Sequence, residues 1–323
     1  MEDVQSNPPL MATYKHLFVD GRRLDDGAVD CNECLHLPVI DLNSAAAEVD
    51  MVRAASEWGF FQVTNHGVPQ ALLRELHEEQ VAVFRRPFEQ KVNERLLDFS
   101  PESYRWGTPT ANCLEQLSWS EAYHIPMTTG SGSSRCRAVI EEVSKAMYEL
   151  AQKLAAILMR GITGGGETMM TSTTREETCF LRLNRYPPCA ISSAFGLCPH
   201  TDSDLLTILH QQDTIGGLQL LKGGRWVAVK PDPAALIVNV GDLLQAWSND
   251  LYRSVEHRVM ANATAERFSM AFFLCPSYDT IIQSSHANAS YRSFTFGEYR
   301  KQIMEDVRST GRKLGLQRFR RST

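Results

Sequence analysis

From residue 178 onward the sequence breaks into short apolar runs, separated by Gly, Pro, Asn or Asp at intervals near ten residues. The runs cover about 181–186, 205–210, 217–221, 226–230, 235–240, 256–261 and 268–275. Such even punctuation predicts the strands of a β-sandwich or barrel. Upstream, the apolar period lengthens from two to 3.6. Leu72, Leu73, Leu76, Val81 and Phe84 mark a helix over 70–84, and Val139, Ile140, Val143, Met147, Leu150, Leu154 and Leu158 mark another over 137–159. Strands at 37–42 and 60–63 precede them, with a helix between that stops at Gly59. A last helix covers 295–307. No linker divides these parts, so the chain reads as one α+β domain over 1–323. Its parts are a loose arm (1–36), a mainly helical region (37–177), the β core (178–280), and a C-terminal helix and tail (281–323).

Charge then narrows the classes of function. Lys and Arg total 33 against 38 Asp and Glu, a net charge of −5, so no global basic field draws in nucleic acid or an anionic membrane. The locally basic run 312–321 reads as a solvated tail. No stretch approaches the roughly 18 apolar residues of a membrane span. The amino end lacks the basic-then-apolar order of a signal peptide, which points to the cytoplasm and leaves the nucleus open. Eight cysteines are too few for a disulfide scaffold. Cys31 and Cys34 form a lone CxxC without a second pair and read as part of the arm. Nothing in the sequence specifies an oligomeric state.

Chemistry concentrates in the β region. In Pro199-His200-Thr201-Asp202 an extended chain turns residues 200 and 202 to one side, so imidazole and carboxylate can converge. His257 lies on a strand 55 residues after Asp202. Two His and one carboxylate form the facial triad of a non-haem Fe(II) centre. Zinc could use the same donors, although the HExxH helix of familiar zinc hydrolases is absent. Arg267-Phe268-Ser269 follows across the turn-like stretch 262–265. A hairpin centred near Ala263 would set His257 opposite Ser269 and Val259 opposite Arg267, aiming Arg267 and Ser269 at the metal side. Arg267 would then stand about 7 Å along, the reach of a short dicarboxylic acid held by metal and guanidinium. Tyr186, aligned with Asn184 in Asn184-Arg-Tyr-Pro-Pro-Cys189, either adds a phenol to that carboxylate or caps the strand before the Pro-Pro break.

Taken together, these groups resemble the plant 2-oxoglutarate- and Fe(II)-dependent dioxygenases. The likeness runs through WGFFQVTNHGV (58–68), NRYPPC (184–189), HTD (200–202), GGLQLL (216–221), NVGDLLQAWSN (239–249), SVEHRV (254–259) and RFS (267–269). It implies a double-stranded β-helix (jelly-roll) core flanked by helices. It also implies iron on His200, Asp202 and His257, and 2-oxoglutarate on Tyr186, Arg267 and Ser269. O2 would be the oxidant, succinate and CO2 the coproducts, and ascorbate a candidate reductant. Within the family, SYRWGTPT (103–110) and QLSWSEAYHIPM (116–127) are most similar to gibberellin 2-oxidases acting on twenty-carbon gibberellins. The resemblance thus implies hydroxylation of a gibberellin at carbon 2 on the β face. Asn184-Arg-Tyr186 departs from the NYYPxC form common in gibberellin oxidases. Arg185 alternates away from Tyr186, so the cosubstrate site should be intact.

An apolar diterpenoid carrying carboxylates calls for aromatic walls and a cation. Tyr104, Arg105, Trp106, Trp119 and Tyr123 are therefore expected at the substrate pocket, with Arg105 on a carboxylate. The competing readings are a related plant dioxygenase acting on another small acid or flavonoid, and a non-catalytic β-barrel binding protein. The full set of HTD, distal His and RFS argues against the second.

Overall fold

A computed structural model describes residues 6–18, 34–93, 101–108, 110–127, 134–163, 173–191, 194–211 and 214–321. The helices are α1 (Leu10–Tyr14), α2 (Ala47–Glu57), α3 (Gln70–Phe84), α4 (Phe88–Asn93), α5 (Arg135–Thr163), α6 (Asp242–Trp247) and α7 (Phe296–Thr310). The first strands are β1 (Cys34–Leu35), β2 (Val39–Asp41), β3 (Phe60–Thr64), β4 (Tyr104–Trp106), β5 (Glu121–Pro126) and β6 (Phe180–Tyr186). Then come β7 (Phe195–His200), β8 (Leu206–His210), β9 (Leu218–Lys222), β10 (Arg225–Val229), β11 (Leu236–Val240), β12 (His257–Met260) and β13 (Arg267–Leu274). A short pair, β14 (Ile281–Ile282) and β15 (Phe294–Thr295), precedes α7.

Two sheets make the double-stranded β-helix. One runs β1-β10-β9-β12-β7, the other β2-β3-β11-β8-β13-β6-β5-β4. Strand alternation gives the larger sheet two unlike faces. Leu181 and Leu183 of β6, Ile208 of β8 and Met270 and Phe272 of β13 point outward into the main apolar core. The stripe Val139, Val143, Met147, Leu150, Leu154 and Leu158 of α5 meets them there, together with Leu73 and Leu76 of α3. Each such side chain contributes about 1.5–3 kcal/mol by leaving water, so packing rather than propensity holds α5 on the sheet. The inner face instead presents Arg182, Asn184, Tyr186, Arg267 and Ser269 to the space between the sheets.

Three expectations are corrected here. The arm is not loose throughout: α1 docks, Tyr14 is buried, and its hydroxyl donates to Ser118 O at 3.1 Å. Leu10 and Tyr14 pack with Trp119 in a small separate core. The basic tail is solvated only in part: Arg312, Arg318, Arg320 and Arg321 are exposed, but the segment is docked. Lys313 Nζ reaches Asp242 at 2.6 Å and Thr201 O at 2.7 Å, Arg318 pairs with Asp306 at 2.9 Å, and Phe319 is buried. Finally, β12 and β13 form no hairpin. β12 lies between β9 and β7 in one sheet, while β13 lies between β8 and β6 in the other. The link between them crosses sheets through a turn in which Asn262 Oδ1 accepts from the Thr264 and Ala265 amides. Both edges of each strand are thus taken by distant partners. Cys31 of the lone CxxC lies outside the described residues.

Candidate active site

His200 ends β7 and His257 opens β12, and the ladder sets the two directly opposite. Their rings stand 4.3 Å apart. Asp202 follows on the loop that leaves β7. His200 Nε2 lies 3.6 Å from its carboxylate and His257 Nε2 3.8 Å from it. One donor atom from each of the three residues falls within 4.8 Å of the others. Each imidazole is oriented through its second nitrogen: His200 Nδ1 donates to Cys198 O at 2.8 Å and His257 Nδ1 to Val255 O at 3.1 Å. Those bonds place the protons on Nδ1 and leave both Nε2 lone pairs facing Asp202. Thr207 Oγ1 and Asn239 Nδ2 donate to Asp202 Oδ2 at 2.6 and 2.7 Å. The donor set therefore fits a facial-triad metal such as Fe(II).

The adjoining chain explains the close fit. A Cβ on Gly241 would lie 2.2 Å from Asp204 O, so only glycine lets the end of β11 pass this close to the ligand loop. The Asp242 amide then donates to Asp202 O at 2.9 Å. The Asp242 carboxylate accepts from Thr201 Oγ1 at 3.1 Å and from the Tyr299 hydroxyl, and it pairs with Lys313. Asn239 and Asp242 both lie in the motif 239–249. Their ligand-orienting role could not be read from spacing alone.

Burial shifts the titrations in a way that suits metal binding. Desolvation first, and then His257, push His200 down to about 3. Burial pushes Asp202 up, but His257, His200 and the hydrogen bonds from Thr207 and Asn239 together bring it down to about 2. His124 and His210 are each pushed down to about 4, mainly by desolvation. A histidine depressed in the fold binds its proton more readily when unfolded. Stability of the metal-free protein should therefore fall as pH drops from about 6.5 toward 4. His66 is also pushed down by burial. Buried Asp204, pushed well above the usual carboxylate range by burial, opposes the fall, one group against four. Melting of the chelated protein across that range checks the sign; a Tm that rises on acidification would contradict it.

A cavity of about 320 Å³ opens beside the triad between the sheets. At one end Arg267 and Tyr186 are register partners, with the guanidinium 5.0 Å from the ring centroid. Arg267 Nη2 donates to Gln211 Oε1 at 2.5 Å. Ser269 lies opposite Asn184, whose Nδ2 donates to its hydroxyl at 3.4 Å. A Cβ on Gly196 would meet the Tyr186 ring at 2.7 Å, so that glycine lets the ring lie where it does. The structure thus brings Tyr186, Arg267 and Ser269 to the same cavity as His200, Asp202 and His257 without the expected hairpin. Arg267 and Ser269 share a face by strand period, whichever strand lies beside them.

The aromatic segment turns out differently. Residues 104–106 and 121–126 are β4 and β5 at the edge of the larger sheet, and Tyr104, Trp106 and Tyr123 point to its helix side. Tyr104 donates to Glu121 at 2.5 Å, Trp106 packs on Phe88, and Tyr123 belongs to the main core. Trp119 fills the small core around α1 and donates through Nε1 to Pro188 O at 3.2 Å. Arg105 alternates to the cavity side, in line with Ala122, Asn184 and Ser269, but it is exposed and stops short of the lining. The walls are instead Phe180, Phe273 and Phe296, with Arg182, Arg300 and His124 among them. Arg182 could have been found, because it continues the period of Asn184 and Tyr186. Arg300 on α7 carried no such signal.

Comparison with known proteins agrees with this geometry. Residues 177–276 match the 2OG-Fe(II) oxygenase superfamily, and residues 37–147 match the family described as non-haem dioxygenase in morphine synthesis N-terminal. Gibberellin 2-beta-dioxygenase 5 of Oryza sativa subsp. japonica is 77% identical over 98% of both chains. The chain belongs to the gibberellin 2-beta-dioxygenase family. Gibberellin 2-beta-dioxygenase 8 of Arabidopsis thaliana is 49% identical over 89% of this chain and 88% of its own. Among solved structures, JOX2 in complex with 2OG, Fe and JA superposes with a TM-score of 0.68 at 31% identity, covering 90% of this chain and 92% of that one. As a member of this family the enzyme uses Fe(II) and 2-oxoglutarate. No helix among the described residues is long and apolar enough to cross a membrane.

Proposed function

We propose that the enzyme hydroxylates carbon 2 of a gibberellin on its β face, with twenty-carbon gibberellins as substrates and inactivation of the hormone or its precursors as the result. The identity of 77% along nearly the whole chain to a gibberellin 2-beta-dioxygenase carries this reading. The twenty-carbon preference is supported by the likeness of segments 103–110 and 116–127.

His200, Asp202 and His257 hold the iron, and Thr207 and Asn239 keep the carboxylate turned toward it. Arg267 takes the far carboxylate of 2-oxoglutarate in its planar fork, with Tyr186 and Ser269 as hydroxyl donors. When bound, iron and 2-oxoglutarate supply with O2 the power to hydroxylate an unactivated carbon, the keto acid leaving as succinate and CO2. Phe180, Phe273 and Phe296 give the diterpenoid skeleton an apolar wall and keep water from the reacting carbon. No side chain is needed as a general base, because the hydrogen removed is not acidic.

Product analysis against twenty- and nineteen-carbon gibberellins tests the reading. A 2β-hydroxylated product with equimolar succinate is expected, and no turnover of any gibberellin would overturn it. In the same assay, Arg267→Ala should raise KM for 2-oxoglutarate on the order of 100-fold, since a charge-assisted bidentate contact is lost. An unchanged KM would remove Arg267 from the cosubstrate site.

A further inference from the structure

The cavity holds a second cationic centre, separate from the Arg267–Tyr186 end. Arg182 sits four residues before Tyr186 on the same face of β6, about 13 Å away at strand rise. Its Nε is buried and has no hydrogen-bond partner among the described residues. Arg300 reaches the same lining from α7. It donates through Nη1 to the Tyr278 hydroxyl at 2.6 Å and lies over the Tyr278 and Phe296 rings. Among the described residues neither guanidinium has a carboxylate within ion-pair distance. Asp202 is near enough for Arg182 to feel its charge, but its oxygens serve Thr207, Asn239 and the metal position. His124, tilted against Phe180 with ring centroids 4.1 Å apart, is kept neutral at pH 7 by burial and by the neighbouring Arg182, Arg105 and Arg300. The desolvated Arg182 cation is costly without a counterion, so this wall, with half-exposed Arg300 beside it, is complementary to an anion that arrives from outside.

We propose that Arg182 and Arg300 form the subsite for the substrate's carboxylate and so select acidic over neutral terpenoids, an inference that rests on the gibberellin reading. The apolar skeleton then lies along Phe180, Phe273 and Phe296, anchored at one end by the arginine pair. The cosubstrate's own carboxylate is held apart at Arg267, so the two anions do not compete for one cation. This pair replaces Arg105, which lies on the correct face but at the sheet edge.

Arg182→Gln, Arg182→Lys and Arg300→Gln test it, each compared with wild type on a free-acid gibberellin and on its methyl ester. Calorimetric binding of 2-oxoglutarate with Mn(II) in place of iron reports whether each variant is folded, and should change less than about twofold. The Gln variants should raise KM for the acid about tenfold or more with kcat nearly unchanged, as loss of a charged hydrogen bond demands. The ester should be nearly indifferent, so the preference for acid collapses, and Arg182→Lys should fall between. The same ordering is expected in Kd for the acid, measured with Mn(II) and without turnover. Unchanged acid KM in both Gln variants, or equal losses for acid and ester, would overturn the proposal. A rise confined to 2-oxoglutarate would also overturn it, by moving Arg182 to the cosubstrate. In contrast, a wild type that converts no gibberellin would overturn the underlying reading and this subsite with it.

Discussion

Replacing Asp202 by Ala should abolish hydroxylation, lowering turnover by at least about a thousandfold, with loss of bound iron. The expectation rests on how little remains once the carboxylate is gone. The two Nε2 atoms still face one position, but they supply neutral donors only and no longer offset the charge of a dication. The fold itself should survive. Asn239 Nδ2 loses its partner and Thr207 keeps Asp204, so the cost is that of an unsatisfied donor, about 1–3 kcal/mol. Metal analysis alongside thermal melting separates the two effects. Iron retained at one equivalent per chain, with turnover above a tenth of wild type, would refute the assignment. A graded companion is Asn239→Ala, expected to weaken iron binding about 10- to 100-fold while leaving all three ligands in place.

The second large effect concerns stability, away from the cavity. Glu121 on β5 is fully buried between two buried cations, Lys91 of α4 and Arg185 of β6, and also accepts from Tyr104. Arg185 continues to Glu266 at 2.9 Å, and Lys91 donates to Ser6 O and Phe84 O. Burial pulls the Lys91 ammonium down, and Glu121 works against that shift. Glu121→Ala would leave Lys91 buried without an anion and Arg185 with Glu266 alone. It should destabilise the protein by about 3–5 kcal/mol, a drop in Tm on the order of 10 °C. Removing the charges together, as Lys91→Met with Glu121→Leu and Arg185→Met, should recover much of the loss. Denaturant unfolding of both variants checks this. A Glu121→Ala midpoint equal to wild type would show that the network contributes nothing net.

This network also shows where sequence reading stopped. The face of Arg185 away from Tyr186 is legible in the sequence, because strand alternation depends only on neighbours in the chain. Its partner Glu121 lies 64 residues earlier, and Lys91 30 residues before that. No local pattern joins them. The same limit explains the aromatic segment: its composition suggested a pocket, but membership of the edge strands β4 and β5 turned Tyr104, Trp106 and Tyr123 toward the helices. The strand β7 is not legible in the sequence, because Gly196 and Pro199 interrupt its pattern, although it carries His200 to the rim.

By itself, the sequence determined the chemistry of the donors. It set a His–x–Asp pair, a distal His and an Arg–x–Ser pair on period-two elements, so each pair had to share a side. It also set the helix stripe of α5. Only the tertiary structure decided which strands meet, and therefore what converges. β12 and β13 were drawn into different sheets, α7 brought Arg300 to β6, and the terminal segment carried Lys313 to Asp242. Those encounters join residues up to more than a hundred positions apart, and their free energy depends on packing across the whole core rather than on any local run of sequence.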